Sequence, residues 1–155
     1  STTPAPAPQY DPTHVGPYQD FVLTTTDMDY SDRASLRETM KEYSRFFDEN
    51  GARSLGRAFM TLAGAVGSGE NIERAERRFL RFEDAISDLS DEEKVYFHEG
   101  LIALSNEVPG LLSDDLFADE IQFILEDLGE VVSGYTYDEL GYGDDTGTDG
   151  VDVAA

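Results

Sequence analysis

Histidine and cysteine, the residues that most often serve as a general base near neutral pH, as a nucleophile or as a transition-metal ligand, are rare or absent in this chain. The sequence holds two histidines, His14 and His98, and no cysteine. Neither histidine has a glutamate three residues before it, so the Glu-x-x-His pairs of di-iron carboxylate sites are absent. The lack of cysteine rules out disulfides, zinc–thiolate sites and cysteine nucleophiles. No Ser-His-Asp arrangement can be read from the spacing, and we expect a protein that is not an enzyme.

A partial match to a calcium-binding loop precedes the first clear helical pattern. Asp27, Asp29, Ser31 and Glu38 occupy positions 1, 3, 5 and 12 of an EF-hand-like loop. The match departs at position 6, where Asp32 replaces the glycine that makes the turn. The same residues can also be read as the approach to a helix N-cap. Ca²⁺ is the one cofactor that the sequence raises.

The one cluster of basic residues lies on a single predicted helix. It consists of Arg74, Arg77, Arg78 and Arg81. Glutamates stand between and beside these arginines, which predicts a solvent-exposed helix face with intrahelical salt bridges. The sequence has no glycine-rich phosphate-binding motif. Direct binding of nucleic acid is not expected, because the field of the whole molecule repels phosphate.

Net charge is the most unusual property of the composition. Asp and Glu number 33 against 11 Lys and Arg, which gives a formal charge of −22. Such an acid-rich, lysine-poor composition resembles that of proteins from salt-in halophiles or from their viruses. At molar salt the Debye length is about 3 Å, so the repulsion between carboxylates is screened. We therefore expect the protein to be located in the cytoplasm of a salt-in halophile or in the virion of one of its viruses. The alternative is an ordinary acidic protein with acidic tails.

The charge is distributed unevenly along the chain. Every basic residue lies between Arg33 and Lys94, whereas the segment from Asp114 onward has 13 acidic residues and no basic one. This asymmetry favours head-to-tail contact between copies, because one part of each copy attracts the other part of its neighbour. The alternative is a solvated acidic face without a partner.

Apolar residues recur at helical spacing over most of the chain. The predicted helices cover 32–49, 52–66, 70–89, a fourth from the Ser90 cap to Pro109, and a fifth from the Ser113 cap to Ser133. In the third helix, Phe79, Phe82 and Ile86 are predicted to face the core. Short connections between these helices predict an all-α fold, a small antiparallel bundle of about five helices over residues 31–134. No apolar run is long enough to span a membrane.

Two tails are predicted to flank the bundle. Residues 1–30 are proline-rich and predict an extended arm, with one possible short strand at Phe21 to Thr26. Residues 135–155 form an acidic tail rich in Gly, Tyr and Asp. Tyrosines suit interfaces because they bury a large area and keep a polar tip. The predicted interface tyrosines are Tyr10, Tyr18, Tyr135, Tyr137 and Tyr142. The alternative is that the tails are mobile and their tyrosines incidental.

These patterns give two hypotheses for function. The first is a structural or assembly protein that acts through contacts with its own copies or with other structural proteins, such as a capsid, connector or decoration subunit. The second is an acidic binding module, or nucleic-acid mimic, that occupies a basic protein surface.

Overall fold

The computed structural model describes residues 12–142, with side chains from residue 16, and all regular secondary structure in this part of the chain is helical. Six α-helices and one 3₁₀ turn (Ser68–Glu70) follow one another. They are α1 (Pro12–Asp27), α2 (Tyr30–Glu49), α3 (Arg53–Ala65), α4 (Ile72–Ser87), α5 (Asp91–Leu111) and α6 (Asp115–Ser133). The predicted all-α bundle is confirmed, with six helices instead of about five. None of these helices is long and apolar enough to cross a membrane.

The additional helix is α1, which lies in the segment predicted to be an extended arm. Tyr18, Phe21, Val22 and Thr25 are fully buried, and their spacing places all four on one face of a helix. The predicted strand at Phe21 to Thr26 is therefore wrong. Its β-branched residues favour a strand by propensity, but burial of this helical face in the core outweighs that preference. The remainder of the predicted arm, 1–11, lies outside the described residues.

The helices pack as antiparallel neighbours. In the α5–α6 pair, His98 near the start of α5 contacts Ser133 at the end of α6. In the α2–α3 pair, Ser44 Oγ donates to the carbonyl of Gly56 at 2.7 Å. Helix α4 packs on α3, and α1 lies against α6 and the 3₁₀ turn. This arrangement places α2 and α4 on either side of the C-terminal half of α3.

A chain of aromatic rings runs through the core and joins five of the helices. Phe82 of α4 stacks on Tyr18 of α1 at 4.8 Å between ring centroids, and it lies 6.0 Å from Phe97 of α5. Phe97 in turn contacts Phe59 of α3, which stacks on Phe47 of α2. Because the rings belong to different helices, they fix how those helices pack together.

Several helix ends follow the sequence signals and others do not. Ser90 and Glu93 form the expected capping box of α5, and Gly134 ends α6 with a φ of 80°. Asp114, not Ser113, is the N-cap of α6; the backbone N–H and the hydroxyl of Ser113 instead donate to the buried carboxylate of Asp32 at 3.0 Å. Helix α5 continues through Pro109 to Leu111, because the hydrogen bond lost at the proline falls in the last turn.

Candidate functional site

A groove of about 720 Å³ lies between α2, α3, α4 and the 3₁₀ turn. Six of the chain's eleven basic residues line it, and Glu70 is its one acidic lining residue. The six are Arg33, Arg37, Lys41, Arg74, Arg78 and Arg81. A molecule with a net charge of −22 thus concentrates most of its positive charge on one concave surface, which we call the basic groove.

Helical spacing explains why these side chains meet in the basic groove. On α4, Arg74, Arg78 and Arg81 stand at positions i, i+4 and i+7, which share one face of a helix. On α2, the three basic residues recur every four positions from Arg33 to Lys41 and share a face in the same way. Helix α3 lies between these two faces and forms the floor.

The basic residues contributed by α2 are partly engaged in holding helix ends. Arg33 Nη1 donates to the carbonyls of Thr26 and Met28 at 3.0 and 2.8 Å, at the end of α1. Arg37 Nη2 donates to the carbonyl of Val66 at 3.4 Å, just after α3. A guanidinium at a helix C-terminus satisfies free carbonyls and interacts favourably with the helix dipole. These two arginines therefore have a structural role alongside the charge they bring to the groove.

The groove arginines of α4 differ from those of α2 in their contacts with the rest of the described chain. Among the described residues, no carboxylate forms an ion pair with Arg74, Arg78 or Arg81. The Nε of Arg78 is buried and has no hydrogen-bond partner in that part of the chain. A buried donor without an acceptor costs free energy. The predicted face of salt bridges along this helix is not formed within residues 16–142.

Helix α4 is instead tied to α3 by a different arginine. Arg57 donates to Asp88 at 2.7 Å and to Asp84 at 2.5 Å. These contacts lie outside the lining of the basic groove, and they take up two carboxylates of α4. The glutamates interleaved with the α4 arginines form no ion pair with them within residues 16–142.

The floor and part of the rim of the groove are apolar. Met60, Ala63, Gly64 and Val66 contribute lining from α3 and its C-terminus, and Tyr30 stands exposed at the rim. Gly64 leaves room beneath the stem of Arg78, since a Cβ at this position would lie 3.7 Å from Arg78 Cδ. Cationic walls over an apolar floor suit an occupant that carries carboxylates on an apolar surface.

Helix α6 is acidic, in contrast to the helices that line the basic groove. It has six acidic residues and no basic one. Leu116 and Phe123 are 81% and 66% exposed, and the exposed carboxylates of Asp119 and Glu120 lie between them. We call these four residues the α6 outer face. Further along the helix, burial is the main cause of the raised pKa of Asp127, and the charges of Glu130 and Asp20 raise this pKa further.

The structure does not bring the candidate calcium ligands together as a loop. Asp27 ends α1 and Asp29 is the N-cap of α2, so only two residues separate the helices. Ser31 and Glu38 both lie within α2, about 10 Å apart along its axis at 1.5 Å per residue. The Oε2 atom of Glu38 lies 3.6 Å from the Nζ atom of Lys41. Residues 16–142 contain no group of three or more His, Asp or Glu side chains that could hold a metal ion.

The five candidate interface tyrosines fall into three groups. Tyr10 lies outside the described residues. Tyr18 is fully buried and belongs to the aromatic core, so its assignment as an interface anchor is wrong. Tyr135, Tyr137 and Tyr142 follow α6 in a hydrogen-bonded turn in which the rings of Tyr137 and Tyr142 lie 5.4 Å apart. Tyr135 and Tyr142 are exposed, and an interface role for these three stays a prediction.

His98 is buried between α5 and α6. Its Nδ1 lies 2.8 Å from Ser133 Oγ, whereas its buried Nε2 has no partner among the described residues. The ring occupies the space that a side chain at position 129 would need, since a Cβ on Gly129 would lie 2.1 Å from His98 Cδ2. Burial lowers the pKa of His98, and the charge of Glu130 opposes this shift.

This lowered pKa predicts a loss of stability on acidification. The unfolded chain takes up the His98 proton near the ordinary pKa of about 6.5, above the folded value, so the free energy of unfolding falls as the pH drops through this window. The measurement is urea unfolding at several pH values at molar salt, for the wild type and for His98→Gln. Burial raises the pKa of Glu126 and Asp127, which gives the opposite trend, but it acts in both proteins. Parallel pH profiles for the two proteins would contradict the prediction.

Sequence reasoning found only part of the basic groove. The α4 arginines were evident as a cluster, whereas Arg33, Arg37 and Lys41 were missed, although their regular spacing of four is a readable signal. Comparisons of the chain with models of known protein families, with characterised proteins and with solved structures gave no match.

Proposed function

We propose that this protein is a non-enzymatic assembly component that acts through contacts between its own copies at high salt. The observation that carries the proposal is the basic groove: six basic side chains around one concavity of a molecule with a net charge of −22. An acidic surface is its natural complement, and the chain itself supplies one in α6. A capsid, connector or decoration subunit of a virus of a salt-in halophile would work in this way.

The composition of the groove supports a protein occupant over a free polyanion. Nucleic acid would meet the repulsion of the whole molecule, and a duplex keeps its base faces stacked inside, so it offers little apolar surface to cover the floor formed by Met60 and its neighbours. A protein surface that carries carboxylates beside large apolar side chains satisfies the walls and the floor together. At molar salt the long-range repulsion between two acidic copies is screened, whereas ion pairs in direct contact within the groove are screened much less, so these pairs and apolar contact act together.

The buried position of His98 is in keeping with a role without catalysis. It is the one histidine whose side chain the structure describes, and it is enclosed between α5 and α6. A general base must lie within hydrogen-bonding reach of its substrate, and this ring is covered on all sides.

Charge reversal in the groove tests the proposed function. We expect the triple variant Arg74→Glu, Arg78→Glu, Arg81→Glu to sediment as a 17.1 kDa monomer at a salt and protein concentration at which the wild type assembles. The groove would then repel the acidic surface that it binds in the wild type. Sedimentation velocity gives the mass, and circular dichroism checks that the variant remains helical.

A matched control keeps the change in net charge constant. Arg45, Arg53 and Arg77 are exposed and lie outside the groove lining, so their reversal to glutamate adds the same charge elsewhere. The control should assemble like the wild type. Equal assembly of the groove variant and the wild type would rule out the groove as the contact surface.

A second candidate function is an acidic module that binds a basic surface of another protein. The α6 outer face supports it, since exposed Leu116 and Phe123 beside carboxylates form a surface suited to a partner. This alternative requires a wild type that stays monomeric, and a groove variant that binds the partner as well as the wild type does.

A further inference from the structure

We infer that the α6 outer face of a second copy occupies the basic groove. Each copy then binds one neighbour through its groove and one through its α6 outer face. This inference rests on the proposed function and names the partner surface that the groove takes. It concerns Leu116, Asp119, Glu120 and Phe123 on one copy and the walls and floor of the groove on the next.

The α6 outer face lacks a partner within the described part of the molecule. Leu116 and Phe123 are the two most exposed large apolar side chains of α6, although this helix buries its opposite side against α5 and α1. Asp119 and Glu120 are exposed between them and form no ion pair with any residue of 16–142. Two large apolar side chains in line on one outer face are the usual mark of a surface that another molecule covers.

The dimensions of the two surfaces match. Leu116 and Phe123 are seven residues apart, which is about 10.5 Å along a helix, and Arg74 and Arg81 are separated by the same number of residues on α4. The α6 outer face and the α4 side of the groove are therefore each about two helical turns long. The carboxylates at 119 and 120 fall between the apolar ends of the strip, as Arg78 falls between the ends of the wall.

The chemistry of the two surfaces also matches. Exposed Met60 and Tyr30 offer apolar contact for Leu116 and Phe123, and the arginines of α4 lack carboxylate partners within the described chain. A carboxylate seated beside Arg78 would accept hydrogen bonds from the part of its guanidinium that lines the groove.

The location of the two surfaces determines which assemblies this contact can build. The groove is lined by α2, α3, α4 and the 3₁₀ turn, and no residue of α6 lines it. The two surfaces are therefore separate, and one copy can use both at once. Two copies can therefore exchange the contact reciprocally about a two-fold axis, which gives a dimer, or pass it head to tail, which builds a ring or an open filament.

A charge exchange between two variants tests the inference. The first is the groove variant already described, and the second is Asp119→Arg, Glu120→Arg on α6. We expect each variant alone to assemble at least about tenfold more weakly than the wild type, because each presents two surfaces of like charge. An equimolar mixture should recover assembly, since every contact then joins opposite charges. The measurement is sedimentation velocity at one fixed salt concentration.

Cysteine pairing gives a second, independent readout in a chain that has no cysteine of its own. Mixing Met60→Cys with Phe123→Cys under mild oxidation should give a disulfide-linked dimer. Mixing Met60→Cys with Tyr96→Cys is the matched control, because Tyr96 is exposed on α5 away from both surfaces, and this pair should cross-link no faster than colliding monomers.

The outcomes separate the inference from the proposed function. Normal assembly of the α6 variant, with a monomeric groove variant, would show that the groove binds a different surface, and the inference alone would fall. A failure of the mixture to assemble, together with equal cross-linking of both cysteine pairs, would also overturn the inference and leave the proposed function in place. A wild type that never assembles would overturn both.

Discussion

Replacing Phe82 with alanine is expected to lower the free energy of unfolding by about 3 to 5 kcal/mol. Phe82 is 2% exposed, and its ring lies between Tyr18 of α1 and Phe97 of α5. Its removal leaves a cavity where three helices meet, and Tyr18 loses its stacking partner. Denaturant unfolding at molar salt, followed by circular dichroism, gives the difference.

Leu80 supplies the control for this prediction from the same helix. It is 60% exposed and two residues away, so Leu80→Ala should change the free energy of unfolding by less than about 0.5 kcal/mol. A cost below about 1 kcal/mol for Phe82→Ala would mean that the aromatic contacts between α1, α4 and α5 do not hold the core together.

Removal of salt is expected to destabilise the fold strongly. With 33 acidic and 11 basic residues, the carboxylates repel one another when they are unscreened. Among the described groups, the pKa of Asp127 is raised mainly by burial, and the charges of Glu130 and Asp20 add a smaller contribution from this repulsion. We expect Tm to fall by on the order of 10 °C or more when KCl is lowered from about 3 M to about 0.1 M.

A variant with fewer charges separates screening from the general strengthening of apolar contacts by salt. Asp119→Asn, Asp127→Asn, Glu130→Gln removes three carboxylates from α6, and its Tm should depend less steeply on salt than that of the wild type. Equal Tm values for the wild type at the two salt concentrations would contradict the expectation of a salt-adapted protein.

Local signals in the sequence accounted for five of the six helices. The Ser90–Glu93 capping box and Gly134 act within a few residues of themselves, so they can be read without knowledge of the fold. Helix α1 was missed because β-branched residues near its end favour a strand locally, whereas its helical state depends on Tyr18 and Phe21 reaching the core. Tyr18 was assigned to an interface for the same reason.

The candidate site was harder to predict because it forms only through packing. Arg33 and Arg74 are about forty residues apart in sequence, and both line one groove because α2 and α4 pack on opposite sides of α3. The calcium motif failed for the converse reason: it matches a local spacing, but α2 begins at Tyr30 and takes Ser31 to Glu38 into a helix. The exposure of Leu116 and Phe123 agrees with helical spacing, because both lie on the side of α6 opposite its buried residue Ile121.

The mass of the wild-type chain as a function of its concentration tests the central claim most directly. Sedimentation equilibrium at about 3 M KCl should give masses that rise well above the 17.1 kDa of one chain as the concentration increases toward roughly 100 μM. A constant mass of one chain over this whole range would contradict assembly through the basic groove.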